Sequence, residues 1–353
     1  MSNFVTIDGS FGEGGGQILR SSLSLASALS VPTRIENIRA RRPKPGLMNQ
    51  HLAAARAVAK VTDGELGGAA KGSLELTFIP GPIRAGHYSR EIGSAGSTTL
   101  IFQTLLPILM LAGRESVVTI HGGTHNPMAP PFQYLSECYL PALRLLGIEA
   151  DCQLLLHGFY PKGGGAMRGT INPWRACPGP LDLSAEVDWG EPEVEIIIAN
   201  LPEHVAGREQ AELSERLRLD PVAIKVEPLS GEVGPGNAVF IRYRAGGRVT
   251  LVTAFGEPGK QAERVAQEAA REAKIFARSR AAVDPRLADQ LILPLALGTG
   301  GRFSTCEVTE HTRTQAEVVR RFLDLSVTFE MQRPDFWLVT VPGSGRFPAD
   351  SNS

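Results

Sequence analysis

The sequence has no paired cysteines. Its four, Cys138, Cys152, Cys177 and Cys306, lie far apart without a CxxC spacing. That excludes a disulfide framework and a cysteine-rich zinc site, and points to reduced thiols in a cytoplasm. No apolar run is long enough for a membrane span. The longest, "TTLIFQTLLPILMLA" from Thr98 to Ala112, contains Gln103 and Pro107 and falls short of the roughly 20 residues a bilayer requires, so it reads as a buried helix. No charged and apolar leader precedes the strand-like "FVTID", so no secretion signal is expected. Neither sign of charge is in excess: the formal net charge is -1 with 21% charged residues. Nothing draws the whole chain to nucleic acid or membrane, and any anion-binding surface has to be local. A Ser/His/Asp set and an H-E-x-x-H metal motif are also missing.

What is present is periodic. The chain has 353 residues, 42% of them hydrophobic, which allows two domains on the usual scale of roughly 100 to 200 residues each. Three stretches share one grammar of β-branched strand, polar loop, amphipathic helix and short strand: "TRIENIRARRPKPGLMNQHLAAARAVAKV", "ESVVTIHGGTHNPMAPPFQYLSECYLPALRLLGIEAD" and "GRFSTCEVTEHTRTQAEVVRRFLDLSVTFE". A Gly/Ser-rich turn and an apolar helix precede the first two. The third has its glycine motif "HGFYPKGGG" separated from its helix "LADQLILPLALGTGG" by a domain-sized stretch. The expected organisation is a discontinuous large domain (1–183 and 281–340), an inserted small α/β domain (184–280) and a disordered tail (341–353). If the repeats pack around a common axis their loops converge, bringing Arg39, Arg41, Arg42 and Lys44 together with His125, Asn126 and His311 as a polyphosphate site.

The opening turn "GEGGGQ" is not a Walker loop, having no lysine and hydroxyl in place, and is out of register for a dinucleotide fingerprint. It is either a plain positive-φ turn or a place where helix amides meet an anion. Glu13 within it can hold a hard cation such as Mg²⁺. Arg20 is either a surface arginine or a phosphate clamp. Gln50 and His51 open the next helix. His311, in "TEHTRTQAEVVRRF", is expected in the loop before a helix starting near Thr314, capped by Thr312 or Thr314, where an imidazole can act as nucleophile or general base. His87, His121, His157 and His204 have no such setting. Asp284 reads as a cap before Pro285. Asp289, inside an apolar helix, needs a donor.

Taken in order, "GEGGGQILRSSLSL" (Gly12 to Leu25), "RARRPKPGL" with "QHL" (Arg39 to Leu52), "IGSAGSTTLIFQT" (Ile92 to Thr104), "GGTHNPMAPP" (Gly122 to Pro131), "HGFYPKGGG" (His157 to Gly165), "LADQL" (Leu287 to Leu291) and "EHTRT" (Glu310 to Thr314) resemble the RNA 3′-terminal phosphate cyclase family. The resemblance implies an α+β fold with three βαβαββ-type repeats, as in enolpyruvyl transferases, plus a small inserted α/β domain. It implies ATP-dependent conversion of an RNA 3′-phosphate end to a 2′,3′-cyclic phosphodiester through covalent histidine-AMP and RNA(3′)pp(5′)A intermediates. His311 would be the AMP-accepting nucleophile. Glu13 would bind the metal, Mg²⁺ or Mn²⁺. Arg20, Arg39 and Arg42 would bind phosphates, with Gln50 and His51 in the same active site. Gln103, Pro130, Asp289 and Gln290 would bind ATP. The chain departs from the family at Arg286, where an aromatic residue is usual; an arginine plane can still stack on adenine, and nucleotide preference is what this puts in question.

The implied partners are RNA with a 3′-phosphate end and ATP, in a cytoplasmic protein without membrane association; a homodimer is one expected assembly. Two other functions share the fold. A non-catalytic RNA-processing or ribosome-biogenesis factor would lack the nucleophilic histidine, and an enolpyruvyl transferase would carry motifs of its own.

Overall fold

The computed structural model describes residues 4–231 and 233–348. The first repeat runs β1 (Val5–Asp8), α1 (Gly16–Leu29), β2 (Thr33–Glu36), α2 (Asn49–Val61), β3 (Glu65–Gly67) and β4 (Leu76–Ile79), with sheet order β1-β2-β4-β3. β1 and β2 are parallel, and the other two pairings are antiparallel. The second runs β5 (His87–Glu91), α3 (Thr98–Leu109), β6 (Ser116–Gly122), then α4 (Phe132–Tyr134) and α5 (Leu140–Arg144) joined by a π-helical turn, then β7 (Ala150–Leu156) and β8 (Gly165–Ile171). Its order β5-β6-β8-β7 repeats the first pattern, including the single parallel pair.

The third repeat begins with β9 (Leu181–Leu183) and is then interrupted. The interruption forms its own sheet from β10 (Glu193–Ala199), β11 (Lys225–Leu229), β12 (Gly236–Ala245) and β13 (Arg248–Phe255), ordered β11-β10-β12-β13, with helices α6 (Glu203–Leu217) and α7 (Ala262–Ser279). The repeat resumes with α8 (Pro285–Leu297), β14 (Gly300–Thr305), α9 (Glu310–Leu323), β15 (Thr328–Arg333) and β16 (Phe336–Pro342). The order β9-β14-β16-β15 again has one parallel pair followed by two antiparallel ones. Three βαβαββ units of one topology therefore make up the large part of an α+β fold.

The repeats join through equivalent contacts, each pairing the start of a second helix with the start of the next repeat's first helix. Between repeats one and two, Gln50 Oε1 on α2 accepts the N–H of Ser97, the cap of α3, at 3.0 Å. Between two and three, the buried Tyr134 on α4 donates its hydroxyl to Asp284, the cap of α8, at 2.8 Å. Between three and one, His311 on α9 meets Gln17 on α1 at 2.9 Å.

α1 is central and buried on almost every side. Its serines replace bulk with small hydroxyls, so neighbouring helices approach closely, and Ser24 Oγ donates to Thr104 O of α3 at 2.8 Å.

The C-terminal segment is more ordered than its polar composition suggests. β16 continues to Pro342, and beyond it the Ser344 and Gly345 amides donate to Ala296 O and Gly298 O at 2.8 and 2.9 Å. These bonds use carbonyls that the end of α8 leaves free. Residues 349–353 of the expected tail lie outside the described residues.

Candidate active site

The site forms at the junction of repeats three and one. α9 begins earlier than its hydroxyl pattern suggested. Thr309 is the N-cap, its Oγ1 accepting from Thr312 N at 3.2 Å, and the helix opens at Glu310. Thr312 and Thr314 are instead fully buried. His311 thus stands in the first turn of α9 rather than in a loop, which fixes its backbone while its side chain stays 56% exposed.

The imidazole is oriented by a residue that sequence reasoning passed over. His311 Nδ1 lies 2.9 Å from Gln17 Oε1. On its other side Gln17 Nε2 donates to Asp289 Oδ2 at 2.6 Å and to Gln315 Oε1 at 3.3 Å, the latter also accepting from Ser21 Oγ at 2.6 Å. With Asp289 ionised, the amide nitrogen of Gln17 faces the carboxylate and the amide oxygen faces His311, which assigns the proton of a neutral imidazole to Nδ1. In that tautomer Nε2 is the nitrogen with the lone pair, and it lies 3.6 Å from Glu13 Oε2. Burial pushes the Asp289 carboxyl up to about 7, against the pull of Arg20.

His51 shows the opposite tautomer. Its Nδ1 accepts the Met48 N–H at 3.1 Å, leaving Nε2–H as a donor beside Arg20. Burial, together with Arg20 and Arg39, holds it down to about 3, so it remains a neutral donor at physiological pH. Arg20 is lowered to about 10 by burial, offset by Glu13 and Asp289, and its guanidinium makes no hydrogen bond among the described residues. Arg42 pairs with Glu13, whose side chain is only 13% exposed. Arg39 closes its own loop by donating to Lys44 O and Gly46 O at 2.6 and 3.0 Å.

The glycines of "GEGGGQ" acquire a specific reason. A Cβ on Gly15 would stand against the Glu13 carboxylate, and one on Gly16 against His51 Nε2 and Arg20. They make room for the acid and the donor. Gly15 as N-cap provides no side-chain partner, so the first amides of α1 stay available to an anion.

The remaining expected residues lie along α3 and α8. Gln103 Nε2 donates to Gln290 Oε1 at 2.7 Å, one position beyond Asp289. Pro130 O accepts Thr99 Oγ1 at 2.6 Å. Arg286 is held by Glu272 of α7 through two N–H bonds, at 2.5 and 3.2 Å. Asp284 does cap α8, accepting from the Arg286 and Leu287 amides at 2.9 and 3.1 Å. Gln50, bonded to Ser97, ties α2 to α3 in this state.

The expected convergence of all three loops does not occur. The first and third meet at Glu13, but His125 and Asn126 of the second turn inward. His125 bonds Thr124 Oγ1 and Gln133 Oε1, both at 2.8 Å, and stacks on Phe159 and His157. Burial and the neighbouring His157 lower it to about 3. Asn126 donates its Nδ2 to Ala95 O, and its buried Oδ1 has no partner among the described residues. This ring cluster packs the "HGFYPKGGG" turn, and places His157 in a structural setting its sequence context did not signal.

Among the described residues no three His, Cys, Asp or Glu side chains are grouped as a metal cage. Glu13 beside three arginines fits a looser mode, in which one carboxylate holds a hard cation whose remaining ligands are phosphate oxygens and water.

Chemically, this arrangement can bring a polyphosphate against a free imidazole nitrogen, the requirement of a nucleotidyl-transferring enzyme. Residues 11–329 match the family model described as RNA 3′-terminal phosphate cyclase. A protein of that name from Ectopseudomonas mendocina is 43% identical over 325 residues, covering 92% of this chain and 94% of that relative. One from Pseudomonas fluorescens is 44% identical over 327 residues (92% and 93%) and one from Salmonella agona 42% over 334 residues (94% and 96%). The chain belongs to the RNA 3′-terminal phosphate cyclase family. A crystal structure of the enolpyruvyl transferase NikO from Streptomyces tendae aligns over 98% of this chain and 49% of its own, at 11% identity and a TM-score of 0.37. The repeat architecture described above rests on this chain's own strand order. No described helix is long and apolar enough to cross a membrane.

Proposed function

We propose that this protein converts an RNA 3′-phosphate end to a 2′,3′-cyclic phosphodiester at the expense of ATP. The observation that carries the reading is the His311–Gln17–Asp289 line, which turns Nδ1 toward Gln17 and Nε2 toward Glu13 and a cluster of arginines. In the first step Nε2 attacks the α-phosphorus of ATP in line, a P–N bond forms and pyrophosphate departs. The imidazole gains positive charge as it does so. Gln17 accepts the Nδ1–H throughout, and Asp289 behind it stabilises that charge. Arg20, Arg39 and Arg42, with the His51 Nε2–H, bind the phosphates. A divalent cation held by Glu13 would offset the charge of the leaving group.

In the second step an oxygen of the RNA 3′-phosphate displaces His311 from the AMP phosphorus, giving RNA(3′)pp(5′)A. In the third the vicinal 2′-OH attacks the 3′-phosphorus, loses its proton and expels AMP. Ring closure therefore requires ribose at the last nucleotide. Gln103, Pro130 and Gln290 line the nucleotide position, and Arg286, held flat by Glu272, offers its plane to the base.

The test is conversion of a 3′-phosphorylated oligoribonucleotide with ATP and Mg²⁺. Wild type should yield a phosphatase-resistant cyclic end and His311→Ala none; equal conversion by the two would overturn the reading.

A further inference from the structure

Among the described residues the inserted unit contributes no side chain to the cluster around His311, so its value to the reaction must lie elsewhere. Its helix α7 has two differently treated sets of charges. The carboxylates are all engaged: Glu263 by Arg208, Glu268 by Lys260 and Arg264, and Glu272 by Arg286. Arg271, Lys274 and Arg278 make no ion pair or hydrogen bond among the described residues. These three lie at i, i+3 and i+7, on the face opposite the buried Val265, Ala269, Ala273 and Phe276. They edge a shallow groove against α6 that also includes Arg216 and the 46%-exposed Ile275. In a chain of net charge -1 this is a local strip of positive potential. On a different face of α7 from these three, Glu272 bonds Arg286 in the first turn of α8, so the helix that carries the strip is tied to the element that carries Asp289.

We infer that Arg271, Lys274 and Arg278 form a docking strip for the phosphate backbone of the RNA upstream of its reacting end. The inference rests on the cyclase reading and adds to it where the body of the substrate lies. Seven residues of helix span about 10 Å, a length that covers a few consecutive phosphates of an RNA strand. Contacts of this kind fix register without reading sequence. Ile275 offers an apolar surface beside them to ribose or base.

The experiment compares Arg271→Ala/Lys274→Ala/Arg278→Ala with wild type on two 3′-phosphorylated substrates, a trinucleotide and an RNA of about twenty nucleotides. For the long RNA, KM should rise on the order of tenfold, about twofold per contact, and the slope of log affinity against log salt should become shallower by about 2. The trinucleotide KM, kcat and the rate of self-adenylylation from ATP should not change. Unchanged binding of the long RNA would overturn the strip, as would an equal loss with the trinucleotide or slowed adenylylation. Failure of the cyclase reading is separately visible, because wild type would then cyclise neither substrate.

Discussion

Replacing Gln17 by Met keeps most of the side-chain volume and removes both the carbonyl that faces His311 Nδ1 and the amide that faces Asp289. In the proposed first step Nε2 bonds to phosphorus and the Nδ1–H becomes the hydrogen of a cation, so the lost contact is charge-assisted. Such a bond contributes about 1.5–3 kcal/mol. At about 1.4 kcal/mol per decade of rate, adenylylation should slow by roughly ten- to 150-fold. The contact strengthens only as charge develops, so ATP affinity should stay within about twofold. Rapid-quench single-turnover adenylylation with radiolabelled ATP gives the rate, and calorimetry gives the affinity. Ser21→Ala, which removes only the hydroxyl bonded to Gln315, is the control and should cost less than about fivefold. Wild-type adenylylation by folded Gln17→Met, or a loss residing entirely in ATP binding, would refute the orienting role.

Further outcomes follow from the same contacts. Glu13→Gln should raise the Mg²⁺ concentration needed for half-maximal adenylylation, read from a metal titration, while its melting temperature stays close to wild type. A substrate whose last nucleotide is 2′-deoxy should accumulate the (3′)pp(5′)A end without cyclising, visible on a denaturing gel. Asp289 is raised to about 7 in the fold against about 3.9 unfolded, so the folded state holds the extra proton and the contribution of this group to stability declines as pH rises between those values. Denaturant titrations should therefore show Asp289→Asn gaining on wild type from about pH 4 to about pH 7 and no further above. Tyr134→Phe deprives the buried Asp284 of a donor and should cost about 1–3 kcal/mol by the same measurement, with adenylylation retained.

The repeats and the interruption were legible because each unit marks itself locally, by a turn, an apolar helix and a β-branched strand. Glu13, Arg20 and His311 were singled out by their local motifs, and the fold brings them close together. Gln17 was not: one glutamine in an apolar helix has no spacing signature, and its partners lie 294 and 272 residues away in sequence. A similar blindness affected His125 and Asn126, which loop composition alone pointed toward the site: packing against His157 and Phe159 draws His125 into the interior, and Asn126 turns to Ala95 O. The start of α9 was misplaced because three threonines compete for the cap. Burial of Thr312 and Thr314 decides for Thr309.

In the proposed reaction AMP is carried on one particular nitrogen. Peptide mapping after reaction with labelled ATP, followed by nitrogen-resolved NMR of the adenylylated protein, reads both the residue and the atom. The account predicts AMP on Nε2 of His311, with Nδ1 still protonated. Label on any other residue, or attachment through Nδ1, would contradict it.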